Sequence, residues 1–221
     1  MNMTFIPASS PDPVGEYVAE VIAAQLADQR TVLWLLSGGS AIAVAVSASR
    51  HLAGSDLAGL TVSLIDERYG PVGHAGSNWR QLQDAGFELP GATLHPVLDG
   101  APQADTAEAY ADFLQAQFAR ADFRFGLFGI GPDGHTSGIL PHSPAVAAPG
   151  LVASYDGGAF LRITTTPRAL ADLSEAAVYA IGPDKWPVLD RLEADLPLAE
   201  QPAQALKAAS KLTIFTDRPL S

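Results

Sequence analysis

The chain has 221 residues, 48% of them apolar, and a formal net charge of −11. That length and apolar share favour one domain spanning residues 1–221 with a large core, and the negative charge argues against nucleic-acid or anionic-membrane partners, which need clustered basic surface. With no cysteine there is no disulfide framework, thiolate metal site or cysteine nucleophile. Met1 to Pro13 lacks a basic segment followed by a long apolar run, and no uninterrupted apolar run reaches membrane-spanning length, so the expected location is cytoplasmic.

Pro11-Asp12-Pro13 opens an amphipathic helix in which Val14, Val18, Val21, Ile22 and Leu26 recur at helical spacing, ending near Asp28. Thr31 to Leu36 is a short apolar run expected as a strand buried on both faces. Ser37-Gly38-Gly39-Ser40 breaks it, and Ala41 to Leu52 reads as a helix. That order makes a seat for an anion: free N–H groups at the helix start point outward, glycine lets a ligand approach, and the helix dipole favours negative charge. The turn lacks the lysine of a nucleotide P-loop and the spacing of a dinucleotide fingerprint, so both nucleotide readings are rejected.

Leu60 to Ile65 predicts a second strand, and Asp66-Glu67-Arg68 sets three charges at its end, either as a solvated ion-pair turn or as part of a site. Tyr69 to Gly76 is a glycine-rich loop carrying His74, read as an exposed loop residue. Ser77 is the expected N-cap of a helix running to about Ala85. Thr93 to Leu98 is a third strand, with His95 read as structural, and Asp105 to Arg120 is a helix whose apolar surface would come from Ala109, Phe113, Ala116 and Phe118.

Phe123 to Phe128 leads into Gly129-Ile130-Gly131-Pro132-Asp133-Gly134-His135-Thr136-Ser137. Three glycines and a proline cannot continue a strand, so the chain turns where a parallel sheet exposes its carboxyl edge, the usual place for a ligand. His135 lies two residues after Asp133, and a tight turn there brings a carboxylate close enough to orient or tune the imidazole for proton transfer. Leu140-Pro141-His142-Ser143-Pro144 ends any helix begun after His135.

Leu151 to Ser154 and Phe160 to Thr166 read as strands paired through a hairpin at Tyr155-Asp156-Gly157-Gly158. Arg162, inside the second, is either outward-facing or committed to an anion. Ala176 to Ile181 is the next strand, followed by Gly182-Pro183-Asp184 and a helix to about Ala194. Lys185 at the start of that helix opposes the dipole unless an anion sits nearby. Lys211 to Asp217 closes the chain as a strand. The alternation of strand and helix gives an α/β fold, a mostly parallel sheet between helix layers.

Leu36-Ser37-Gly38-Gly39-Ser40, Asp66-Glu67-Arg68, Ser77-Asn78 and Gly129 to Ser137 occur in the order seen in 6-phosphogluconolactonases, and the chain resembles that family through most of its length. Arg162-Ile163-Thr164 is similar to the family's arginine-bearing strand, and Gly182-Pro183-Asp184-Lys185 to its Gly-x-x-Lys turn. Two departures stand out. Ala41-Ile42 replaces the Thr-Pro of many members, and Ser137-Gly138-Ile139-Leu140-Pro141 varies on the usual Ala-Ser-Leu-Phe-Pro.

The resemblance implies a Rossmann-like three-layer αβα sandwich shared with glucosamine-6-phosphate deaminases. It also implies a hydrolase of a phosphorylated sugar lactone in the oxidative pentose phosphate pathway, using no metal and no cofactor. On this reading His135 and Asp133 are catalytic, and Ser37, Gly38, Gly39, Ser40, Asp66, Arg68, Arg162 and Lys185 bind the substrate and its phosphate. Asp66 and Glu67 stay open as sugar ligands or as orienters of Arg68, and the oxyanion donors as glycine-turn N–H groups or a cation. The expected partner is the lactone alone, with no nucleic acid or membrane, bound by a monomer or weak homodimer.

Two rivals remain: a deaminase-like isomerase and a non-catalytic sugar-phosphate-binding protein. In the deaminases a glutamate and then a proline follow five residues after the loop histidine. Here those positions hold Leu140 and Pro141, and leucine cannot assist a proton transfer.

Overall fold

The computed structural model describes residues 3–219. The main sheet is wholly parallel and contains β1 (Met3–Pro7), β2 (Val32–Leu36), β3 (Leu60–Leu64), β5 (Thr93–Leu94), β6 (Phe123–Phe128), β9 (Glu175–Ala180) and β10 (Leu212–Thr216). Their spatial order is β1-β10-β9-β6-β2-β3-β5. Every residue of β2, β3, β9 and β10 is buried, the polar Thr61, Ser63, Glu175, Thr213 and Thr216 included, as in a sheet covered on both faces. The helices are α1 (Pro11–Ala27), α2 (Ala41–His51), α3 (Asn78–Asp84), α4 (Gln103–Arg120), α5 (Pro167–Ala171) and α6 (Trp186–Glu193), and the fold is the expected α/β sandwich.

A second, antiparallel sheet of β4 (Asp66–Arg68), β8 (Leu161–Thr165) and β7 (Val152–Asp156) stands beside the first. Ile65 is the pivot between them: its N–H donates to Leu36 in the main sheet, and its carbonyl accepts from Thr165 in the small one. The charged triplet is therefore a strand rather than a solvated turn, with Asp66 only 5% exposed and Glu67 fully buried. Its ladder comes from β8, so it needs no apolar periodicity of its own.

Other expectations are corrected by particular contacts. The edge strand β1 was not foreseen, nor were α5 and the 3-10 turns Pro144–Ala147 and Pro202–Ala208. The Thr93 to Leu98 strand stops at Leu94, and its last bond to β3 runs from the His95 amide to the Val62 carbonyl. Helix α4 buries Thr106, Tyr110, Leu114 and Gln117, while Ala109 and Ala116 are exposed; on that buried face the Tyr110 hydroxyl donates to the Leu64 carbonyl. His95 is structural as expected, stacked 3.6 Å from Phe113, with burial lowering its pKa. No helix follows His135; Thr136 instead bridges both Ile130 and Ile139. Among the described residues no helix is long and apolar enough to cross a membrane.

The strand order also locates the site. From β2 the chain moves outward through β3 to β5, and from β6 it moves the other way through β9 to β10. The crevice at the carboxyl ends of β2 and β6 is thus the topological switch point, where open α/β sheets bind ligands. The loops leaving those two strands are Ser37 to Ser40 and Gly129 to Ser137.

Candidate active site

One cavity of ≈ 410 Å³ opens at the switch point, and every expected site residue except Asp133 lines it. Asp133 stands behind His135 instead, with Oδ1 2.6 Å from the ring Nδ1 and 3.1 Å from the His135 amide. The loop is closed by two backbone bonds of 2.9 Å, Gly131 N–H to the His135 carbonyl and Gly134 N–H to the Gly131 carbonyl. Gly131 is required here: a Cβ would lie 2.1 Å from His135 Nδ1 and 2.6 Å from Asp133 Oδ1. The Ala203 amide braces the loop from behind by donating to the Gly134 carbonyl at 3.0 Å.

Burial works to raise the Asp133 pKa, but bonds from the His135 amide and ring outweigh it and hold the carboxyl below its ordinary value. An ionised Asp133 accepts the Nδ1 proton, so whenever the ring is neutral its lone pair lies on Nε2, the atom able to act as a base.

Facing the histidine is a cationic wall. Arg68 and Arg162 are cross-strand partners in the β4–β8 ladder, and like charges directly opposite one another destabilise a sheet unless an anion intervenes. Asp66 supplies part of that charge, with Oδ2 3.8 Å from Arg162 Nη1. Burial pushes the Asp66 pKa up to about 6 against the attraction of Arg162. Lys185 precedes α6, its Nζ 3.1 Å from Asp184. The Ser37 to Ser40 turn brings the start of α2, whose first turn has no acidic residue. Gly38 lies so close to Asn78 that a Cβ would sit 2.3 Å from Oδ1.

Five buried polar atoms on the cavity lining have no hydrogen-bond partner: Ser37 Oγ, Asn78 Oδ1, Ser137 Oγ, Arg68 Nε and Arg162 Nε. Left unpaired, each such orphan costs about 1–3 kcal/mol, and these five gather on one cavity, where a polar ligand or ordered water can satisfy them.

Comparison with known proteins gives this site its family. The family described as glucosamine-6-phosphate isomerases/6-phosphogluconolactonase matches residues 8–215. The chain belongs to that family. A 6-phosphogluconolactonase of Rhizobium meliloti (strain 1021) is 29% identical over 225 residues, 95% of this chain and 94% of the relative. One from Pseudomonas putida is 33% identical over 202 residues, 85% and 81% of the two chains.

Among solved structures, 6-phosphogluconolactonase from Thermotoga maritima has a TM-score of 0.79 at 22% identity, covering 97% of this chain and 99% of that one. A monomeric glucosamine-6-phosphate deaminase also reaches 0.79, at 16% identity and 98% coverage of each chain. Fold therefore does not separate the family's two chemistries, and the side chains must.

For a member of this isomerase/lactonase family, three residues near the site carry more than the sequence reading assigned them. Glu67 does not line the cavity; its carboxylate accepts from Ser77 Oγ and from the amides of Arg68, Asn78 and Trp79, at 2.7–3.1 Å. It caps α3 and fixes the Arg68 backbone, so of the two roles left open it takes the second. Asn78, part of the Ser77-Asn78 motif at a helix start but not among the expected binding residues, lines the cavity and donates to the Asp66 carbonyl at 3.0 Å.

Ser137 lies at the cavity wall with φ 56°, a strained value for a residue with a Cβ. Its turn is clamped by the Tyr155 hydroxyl, which donates to the Gly138 carbonyl at 2.5 Å, and by the Gly138 amide, which donates to Thr164 Oγ1 at 3.1 Å. Nothing in local sequence announces such a clamp. Among the described residues no group of three or more histidine, aspartate or glutamate side chains could hold a metal ion.

Proposed function

We infer that this family member is a 6-phosphogluconolactonase, hydrolysing 6-phospho-D-glucono-1,5-lactone to 6-phosphogluconate. The observation that carries the reading is that His135, backed by Asp133, and a cross-strand arginine pair line one cavity. The curated relatives named above carry the same activity in their names. His135 Nε2 takes a proton from water as its oxygen attacks the lactone carbonyl. When the bond from that carbon to the ring oxygen breaks, the imidazolium returns the proton to the departing oxygen. Asp133 holds the ring and stabilises the transient positive charge. Arg162, Lys185 and the α2 start hold the distal phosphate, so that binding energy far from the reacting carbon orients it.

The direct test is a fast coupled assay on freshly prepared lactone with spontaneous hydrolysis subtracted. A rate no higher than the spontaneous one rejects the reading. Arg162→Ala and Lys185→Ala should each raise KM by about ten- to a hundredfold, the worth of a charge-assisted hydrogen bond, with a smaller effect on kcat. A lactone without phosphate should be correspondingly poor, and equal kcat/KM for both lactones would remove the phosphate seat.

Glucosamine 6-phosphate should yield neither ammonia nor fructose 6-phosphate. Asp66 is the one carboxylate among the described cavity-lining residues, and Leu140 occupies the position of the deaminases' assisting glutamate. Ammonia release at a rate comparable with lactone opening would overturn the assignment.

A further inference from the structure

Arg68 is held from three directions by groups that take no part in the chemistry above. Its carbonyl is 2.9 Å from His74 Nε2, its Nη1 donates to the Gly76 carbonyl at 3.2 Å, and its guanidinium lies 4.9 Å from the centre of the Phe160 ring. His74 Nδ1 in turn accepts from the Gly76 amide at 3.2 Å. An accepting Nδ1 assigns the neutral tautomer with the proton on Nε2, which donates to the Arg68 carbonyl. One imidazole thus ties together Arg68 and the residue whose carbonyl grips its guanidinium. Gly76 is the common floor, since a Cβ there would sit 3.0 Å from the Phe160 ring and 3.1 Å from that of His74.

The lock has a physical reason to exist. Arg68 faces Arg162 across the ladder, and an unrestrained arginine, with about 2 kcal/mol of rotamer entropy, would swing away from its like-charged neighbour into solvent. A ring face attracts the guanidinium electrostatically and costs it no donor. With Nη1 committed to Gly76, the buried Nε has no protein partner. Phe160 lies at the turn of the same hairpin that carries Arg162, so both arginines are set by one element.

We propose that Phe160 and His74 are positioning residues that lock Arg68 beside Arg162 and keep its Nε aimed at an anionic sugar substrate. The lactonase reading supplies the identity of that anion; the lock itself stands on the contacts around Arg68.

The test compares Phe160→Leu, which keeps apolar bulk without a ring face, with Phe160→Tyr, which keeps the ring. The Leu variant is expected to raise both KM for the lactone and the calorimetric Kd of 6-phosphogluconate by about five- to thirtyfold, leaving kcat within about twofold. The Tyr variant should match wild type, and Phe160→Leu should add nothing further to Arg68→Ala, the coupling that a purely structural role does not produce. In ¹⁵N NMR His74 should show the neutral form protonated on Nε2.

An unchanged KM in Phe160→Leu, equal impairment of Leu and Tyr variants, additivity with Arg68→Ala, or an Nδ1-protonated His74 would each overturn the proposal. Should the wild type fail to accelerate lactone opening, the lactonase reading falls by itself. The same variants titrated with inorganic phosphate would then decide the lock.

Discussion

Replacing His135 by asparagine should lower kcat by about two to four orders of magnitude, the usual worth of a positioned general base, with KM nearly unchanged. Asparagine keeps a polar side chain of similar reach, but its amide nitrogen has no free lone pair and its oxygen is too weak a base to take a proton from water. The seat formed by Arg162, Lys185 and the Ser37 to Ser40 turn does not depend on the ring, so binding should persist.

The pH profile sharpens the test. Asp133 is held below its ordinary pKa by the His135 bonds, so it remains ionised as pH falls toward the range where an imidazole gains its proton. Asp66, pushed up to about 6 by burial, lines the same cavity, so the two variants His135→Asn and Asp66→Asn separate the groups: an acid limb of kcat absent from the residual activity of His135→Asn but kept in Asp66→Asn is the expected result. Near-normal turnover in His135→Asn would remove His135 from the mechanism.

The second large effect concerns stability. Glu67→Ala should destabilise the protein by about 3–5 kcal/mol, a sizeable share of a typical net stability of about 5–15 kcal/mol. Glu67 has no exposed surface, and its two oxygens accept from one hydroxyl and three backbone amides. Alanine would leave those donors buried without acceptors and open a cavity at the start of α3. Glu67→Gln should cost less, because it keeps one oxygen acceptor while turning an NH₂ group toward N–H donors. Urea unfolding measures both, and a Glu67→Ala variant within about 1 kcal/mol of wild type would contradict the capping role. Because Asn78 and the Arg68 backbone hang on the same carboxylate, surviving Glu67→Ala protein should also bind substrate poorly.

Much of this molecule is legible in one dimension. The continuous apolar run of β2 and the mainly apolar segments of β3, β6 and β9 announce strands of the central sheet, because a parallel sheet between helices offers no solvated side. The two glycine-bearing turns mark the ligand edge, because only such backbone leaves amides and close approach available. The Asp133–His135 pair lies within a single turn, so its geometry is encoded locally, and the Ser77 cap and the hairpin before Phe160 are local in the same sense.

What escaped is non-local. Strand β4 is a strand only because β8, far along the chain, pairs with it. Its three charged residues carry no periodic signal, and their separate fates were settled by neighbours: Asp66 and Arg68 at the cavity, Glu67 beneath α3. The facing of Arg68 and Arg162 is a property of strand register, which the composition of either segment leaves undetermined. The buried face of α4 likewise combines Tyr110 and Leu114 with the polar Thr106 and Gln117, a set that a count of apolar residues does not single out. Hydrophobic pattern reports how each segment meets the sheet it belongs to. Which polar groups then meet one another depends on tertiary pairing, and in this chain that pairing builds the cationic wall opposite the histidine.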